Sequence, residues 1–169
     1  VTGGDAAAAA AARDEADRVW LREAFALAQA ARAAGRHPFG ALVVLNGARV
    51  ARCGNESGAA GAAATDHAEL LAARAASQLF NARELAAATL YTSAEPCAMC
   101  AGAIYWAGIG RVVYGLSETR LRALTGAHPD NPTLDLPCRQ VFQSGQRTIE
   151  VLGPWLEDEA EALHHGFWR

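Results

Sequence analysis

Two short stretches hold the residues best suited to chemistry: Asp66-His67-Ala68-Glu69 and Glu95-Pro96-Cys97-Ala98-Met99-Cys100. Imidazole and thiolate are good ligands for zinc. Cys97 and Cys100 stand three apart, so on a helix they share a face and can reach one ion. A helix N-terminus also favours thiolate over thiol, which lowers the proton cost of taking up a metal. With His67 as third ligand, one tetrahedral position stays open for water, as in a catalytic site. Glu69, two residues beyond His67, need not bind the ion and can reach that water instead. Zinc lowers the pKa of water from about 15.7 to about 7. At about 1.36 kcal/mol per unit, this is roughly 12 kcal/mol of hydroxide stabilisation. A nearby carboxylate can take the released proton and deliver it to a leaving amine.

Other uses of these groups are possible from the residues alone. The two thiols could be a redox pair. The zinc could be structural, closed by Cys53, Cys138, His37 or His128, but Glu69 would then have nothing to do. Cys53 and Cys138 read as inert buried thiols.

The groups need elements to position them. "RVWLREAFALAQAARAAG" sets Val19, Trp20, Phe25 and Leu27 at helical spacing, with Gly35 as C-cap. "PFGALVVLNGARVARCG" reads as a hairpin about Asn46-Gly47. Thr65-Asp66 can cap a helix from His67 to about Ser77. "ATLYTS" reads as a buried strand, Pro96 suits the first turn of a helix over 97–107, and "RVVYGL" is the next strand. Strand, helix, strand in this order predicts a parallel pair. "SETRLRALTGAHPDNPTLDLPC" reads as a long loop with at most a short helical piece. "TIEVLG" is a last strand, and "PWLEDEAEALHHGFWR" a C-terminal helix with an aromatic tail.

The chain has 169 residues, is 51% hydrophobic and carries a net charge of −3. These values suit one domain with a real core, and no strong field favours nucleic acid. Residues 1–14 read as a flexible Ala-rich leader, not a signal peptide, and residues 15–169 as a single domain. No run approaches the roughly 20 apolar residues that span a bilayer. Four cysteines in a chain of this size point to reduced thiols in a cytoplasmic setting.

His67-x-Glu69 followed by Pro96-Cys97-x-x-Cys100 matches the signature of the zinc-dependent base deaminases. With "PFGALVV", "AIYWAG" and "RVVYGL" around it, the chain resembles the cytidine/deoxycytidylate deaminase-like superfamily over most of its length. Within it, the chain looks most like the guanine deaminases and the tRNA adenosine deaminases. The resemblance implies an α/β fold, a three-layer α/β/α sandwich around a mixed five-stranded sheet. It also implies one zinc per subunit on His67, Cys97 and Cys100, Glu69 as proton shuttle, and a homodimer. Asn55, in "RCGNES", matches an asparagine aimed at the substrate base. Trp106, in "AIYWAG", matches a pocket aromatic of the guanine deaminases, and the family places the backbone of Pro38-Phe39-Gly40 near the pocket.

The motif specifies hydrolytic loss of ammonia from an amidine-like ring carbon, not which ring. The C-terminal helix carries Glu157, Asp158, Glu159 and Glu161, with Arg169 the one cation at its end, where an RNA-binding tail would be basic. Phe167 and Trp168 can cover an apolar pocket or pack on the core. Glu157 and Glu159 are candidates for a second carboxylate that meets the N–H groups of a guanine-like edge. The expectation is a free-base deaminase that converts guanine to xanthine. A tRNA adenosine deaminase, or a deaminase of cytosine, a nucleoside or a triazine such as ammeline, remains open, as does a structural zinc module.

Overall fold

The structure is a computed structural model that describes residues 3–126 and 128–168. Arg169 and the first two residues of the Ala-rich leader lie outside the described residues. The remainder of that leader is helical: α1 runs Gly3–Ala33 without a break. Alanine is the best helix former and needs no packing partner to continue a helix already nucleated further along. The packing face of α1 is also shifted from expectation. Leu21, Ala24, Phe25, Ala28 and Ala31 are buried, whereas Val19 is 56% exposed. Alanines fill this face because the sheet comes very close. A Cβ at Gly40 would sit 2.5 Å from the backbone of Ala24 and Ala28. The helix ends as its glycine predicts, with Gly35 at φ 77° and Arg36 N–H bonded back to Ala31 O at 3.0 Å.

Strands β1 (Gly40–Leu45) and β2 (Ala48–Gly54) form the hairpin. Asn46 and Gly47 take φ of 52° and 75°, as a two-residue primed turn requires. Helix α2 (Ala68–Leu79) and the single turn α3 (Ala82–Leu85) lead to β3 (Thr89–Ala94). Then come α4 (Ala98–Ala107), β4 (Arg111–Leu116), α5 (Glu118–Thr125), α6 (Cys138–Gln143), β5 (Glu150–Leu152) and α7 (Glu157–Ala162). The sheet order is β2-β1-β3-β4-β5. The β1 pairings are antiparallel; β3–β4 and β4–β5 are parallel, as the strand–helix–strand order predicted.

Two apolar clusters cover the two faces of the sheet. One joins Val43, Leu90 and Val112 to Ala72 and Ala76 of α2, Ala101 and Ile104 of α4, and Phe142 of α6. The other joins Leu42, Tyr91 and Val113 to Leu21 and Phe25 of α1, Leu121 of α5 and Ala160 of α7. The result is the expected α/β/α sandwich. Buried Asp17 of α1 ties that layer to the sheet. It accepts hydrogen bonds from Arg111 at 2.5 and 2.7 Å and from the Tyr91 hydroxyl at 2.7 Å. No helix among the described residues is long and apolar enough to cross a membrane.

The alternating strand directions have one consequence for chemistry. The ends of β2, β3 and β4 and the start of β1 all lie at the same edge of the sheet. Asn55, Glu95 and Ser117 follow the three strand ends, and Phe39 precedes β1.

Candidate active site and metal centre

His67 and Cys97 are both N-cap residues, of α2 and α4, and neither side chain caps its helix. This corrects two local expectations. Asp66 does not cap α2: its carboxylate accepts from Ala63 N–H at 2.9 Å, and its carbonyl accepts from Glu56 and Ser57 N–H. The Gly/Ala loop is thus folded onto Asp66, which leaves the helix end to His67. Pro96 precedes the cap of α4 and is not in its first turn. The effect is to leave imidazole and thiol free to turn towards each other, with Cys97 Sγ 3.7 Å from His67 Nδ1.

The ligand atoms of His67, Cys97 and Cys100 all lie within 4.8 Å of one another. Tetrahedral zinc with Zn–S of about 2.3 Å and Zn–N of about 2.05 Å has an S···N edge of about 3.6 Å, close to the spacing seen. Among the described residues no fourth His, Cys, Asp or Glu joins the group, so neither Cys53, Cys138, His37 nor His128 closes it. Three borderline-soft donors with an open side fit a zinc that is available for catalysis.

The three ligands hold their protons unequally. A hydrogen bond from Cys100 and the His67 imidazole draw the Cys97 thiol down to about 4, against burial, which pushes it up. The same Cys97 interaction, with burial, raises Cys100, while Cys97 raises His67. Cys97 is thus the ligand most readily ionised, whereas Cys100 and His67 must each release a proton to bind a metal.

Glu69, the second residue of α2, is 5% exposed. Burial first, and then the Cys97 charge, push its carboxyl up. Cys100 Sγ lies 3.8 Å from its Oε2, and Thr92 Oγ1 lies 3.0 Å from its Oε1. Thr92 Oγ1 is also 3.0 Å from Ala94 O. The hydroxyl can donate to ionised Glu69, or turn its proton to Ala94 O and accept from protonated Glu69. Thr92 thereby satisfies both states of a group that carries protons. "TLYTS" signalled only a buried strand, and nothing in that pattern points to this role.

Asn55 is 1% exposed and lies just beyond β2, its N–H bonded to Phe39 O. Its Nδ2 donates to Ser57 O at 3.3 Å and to Ser57 Oγ at 2.7 Å. A carbonyl can only accept, so Nδ2 is fixed on Ser57 and Oδ1 is the atom left for a ligand. Phe39, Asn55, His67, Glu69, Cys97 and Glu118 share one cavity of about 260 Å³. Glu118 was not singled out in the sequence, where its segment reads as a long loop; the structure makes it the first residue of α5. Burial and the acids around it push its carboxyl up to about 7.

Phe39, Asn55 and His67 also line a wider outer chamber of about 770 Å³, which Phe167 and Trp168 reach. The aromatic tail therefore lines the outer chamber beside this chain's own Asn55 and His67. The C-terminal helix stops at Ala162, short of the expected end, and the tail turns back on side-chain anchors. Trp168 Nε1–H donates to His164 Nδ1 at 3.1 Å, and the two rings stack. Buried His164 is held down to about 4, by burial first and then by Arg32 and His165. Arg32 of α1 donates to the carbonyls of Leu163 and His165. Removal of residues 167–169 should raise KM or lower kcat by roughly 10-fold, the scale of losing well-placed aromatic contacts. Zinc content should not change. Steady-state kinetics beside metal analysis check both.

Three sequence-chosen residues are not in the cavity. Trp106 is 78% exposed and packs edge-on against Tyr105, because its position on α4 faces away from the sheet. Glu157 accepts from Ser117 N–H at 3.0 Å and Ser117 O–H at 2.5 Å, which braces the start of α5. Glu159 is paired with Arg22 of α1 at 2.9 Å. Each acid is held by a partner that lies far away in sequence, and the composition of α7 could not show this.

A model of the cytidine and deoxycytidylate deaminase zinc-binding region matches residues 14–116. A probable cytosine deaminase of Schizosaccharomyces pombe is 42% identical over 91% of this chain and 93% of its own length. A tRNA-specific adenosine deaminase of Haemophilus influenzae is 36% identical over 69% of this chain and 67% of its own. The solved structure of the guanine deaminase from Nitrosomonas europaea superimposes with a TM-score of 0.70 at 28% identity. It covers 88% of this chain and 82% of that one. With the donor set and the sheet order already in place, these likenesses show that the chain belongs to the zinc-binding cytidine and deoxycytidylate deaminase family.

Proposed function

We propose that the protein is a zinc-dependent hydrolase that removes an amino group from a free nucleobase, with guanine the leading substrate. The observation that carries the chemistry is Glu69, a buried carboxyl beside a three-ligand metal site on the floor of a small cavity. His67, Cys97 and Cys100 hold the zinc. Bound there, it supplies a Lewis acid that makes water nucleophilic near neutral pH. Glu69 takes a proton from the attacking water and returns it to the departing nitrogen, with Thr92 as its partner in both states. Water adds to the ring carbon, the C–N bond breaks, and ammonia leaves a carbonyl behind. Asn55 Oδ1 positions the ring by accepting an N–H bond. Phe39, Phe167 and Trp168 form the apolar wall and cover.

Guanine is supported by the likeness to the Nitrosomonas europaea enzyme over most of both chains. Cytosine is the second reading, favoured by the S. pombe relative, whose match covers 91% of this chain and 93% of its own length. A tRNA substrate fits less well. The acids of α7 are engaged with Arg22 and Arg120, and among the described residues α7 presents an acidic, not a basic, face to phosphates. Ammonia release from the purified protein over guanine, cytosine, adenine, their nucleosides and an anticodon stem-loop tests this reading. Guanine or cytosine should lead. Efficient, steeply salt-dependent turnover of the stem-loop alone would overturn it.

The free thiols among the described residues support a reducing, cytoplasmic setting. Exposed Trp106 beside Tyr105 supports a homodimer formed through α4. Sedimentation should find a dimer at micromolar concentrations, and Trp106→Ala should shift it towards monomer. A wild-type monomer throughout that range would defeat this.

A further inference from the structure

We infer that Glu118 is a specificity-determining residue. Its carboxylate accepts a hydrogen bond from a ring N–H that a free base has and a nucleoside lacks. This rests on the deaminase reading and adds to it the flank of the pocket opposite Asn55.

The case begins with position. Asn55 follows β2 and Glu118 follows β4 by two residues, at the same edge of the sheet. Between β2 and β4 stand β1 and β3, so the strand ends are three spacings apart, about 14 Å. The zinc ligands of α4 and Glu69 lie between them. A planar ring over the metal therefore meets Asn55 on one flank and Glu118 on the other, and both line the inner cavity.

The second point is that the start of α5 does not need this carboxyl. Ser117 Oγ accepts from Arg120 N–H, Glu157 takes the N–H and O–H of Ser117, and Glu95 Oε2 accepts from Glu118 N–H at 3.1 Å. The helix end is already served by three other side chains. The Glu118 carboxyl itself has no hydrogen bond and no ion pair among the described residues. It sits half-buried near Glu69, Glu95 and Asp135, which are all acids. An acceptor held in such company gains most from a donor that arrives with the substrate.

The third point is which donors a substrate can bring. Oδ1 of Asn55 and the ionised carboxylate of Glu118 are both acceptors; guanine can bring a ring N–H to each, and cytosine brings its one ring N–H to Glu118. Free guanine and free cytosine each carry the ring N–H that becomes the glycosidic nitrogen in a nucleoside. A sugar at that nitrogen removes the donor and sets bulk against a carboxylate. The site then rejects nucleosides through an unpaired, half-buried acceptor, the kind of discrimination that polar sites make large.

The test compares wild type, Glu118→Gln and Glu118→Ala on guanine and 9-methylguanine, and on cytosine and 1-methylcytosine. Wild type should prefer the unmethylated base, and Glu118→Ala should lose about 10- to 100-fold in kcat/KM on it, the scale of a charge-assisted hydrogen bond. The methylated base should be affected little, so the ratio between the two collapses. Glu118→Gln, which still offers one acceptor, should fall between. Zinc content should stay at wild-type level in both variants. An unchanged ratio in Glu118→Ala, or an equal loss on both members of a pair, would overturn the inference. Wild-type protein that turns over none of the four bases would instead count against the proposed function.

Discussion

Glu69→Gln is expected to keep its zinc and its fold and to lose about 10³- to 10⁴-fold in kcat, the upper end for one general acid–base group. The upper end applies because a single residue makes both proton transfers, from water and to the leaving nitrogen. Gln occupies the same space, and its amide can still meet Thr92 Oγ1, now 3.0 Å from Glu69 Oε1. It also removes a carboxyl that burial and Cys97 disfavour in its charged form, so stability should not fall. The loss is therefore one of proton transfer, not of packing. Single-turnover kinetics with metal analysis and a melting curve check it. Activity within a few-fold of wild type would assign the proton to another group.

Cys100→Ala should remove the metal and with it all measurable turnover. Cys100 is fully buried and completes a set of three ligands. A structural or catalytic zinc site holds its ion with three or four protein ligands, and two bind it far more weakly. The zinc-free protein should also melt at lower temperature, because metal that binds only the folded chain adds its binding free energy to stability. Metal content by mass spectrometry and a melting curve with added zinc check both. Full zinc retention with unchanged turnover would remove the assignment of this ligand.

The parts of the site that were legible in the sequence are those fixed by local spacing. Cys97 and Cys100 had to share a helix face, and Asn46-Gly47 had to turn. The central strands were readable as apolar runs, and their parallel pairing followed from a right-handed crossover. What was not legible depends on contacts between distant residues. Glu157 and Glu159 looked available because Ser117 and Arg22 stand 40 and 137 residues away. Glu118 went unnoticed because its segment reads as a long loop, and nothing local shows that Glu95 and Glu157 serve the helix that starts there. Thr92 looked like a strand residue because Glu69 is 23 residues upstream. Trp106 lies outside the cavity, and its placement was not legible for another reason. Helix α4 is apolar all round, so its pattern does not say which side meets the sheet. The leader reads as flexible from its alanine content, and the same alanines have the helix propensity that continues α1 through residues 3–14.

The most direct test of the central claim is zinc-dependent ammonia release by the purified holoenzyme. The protein would be assayed on guanine and cytosine as isolated, after chelation, and after one equivalent of zinc is restored. The account predicts that ammonia appears with one carbonyl product per turnover, ceases on chelation and returns with zinc in wild type. In Glu69→Gln the zinc should return without the activity. Turnover that survives complete removal of zinc, or a zinc-loaded, folded wild type that releases no ammonia from any base, nucleoside or stem-loop, would contradict it.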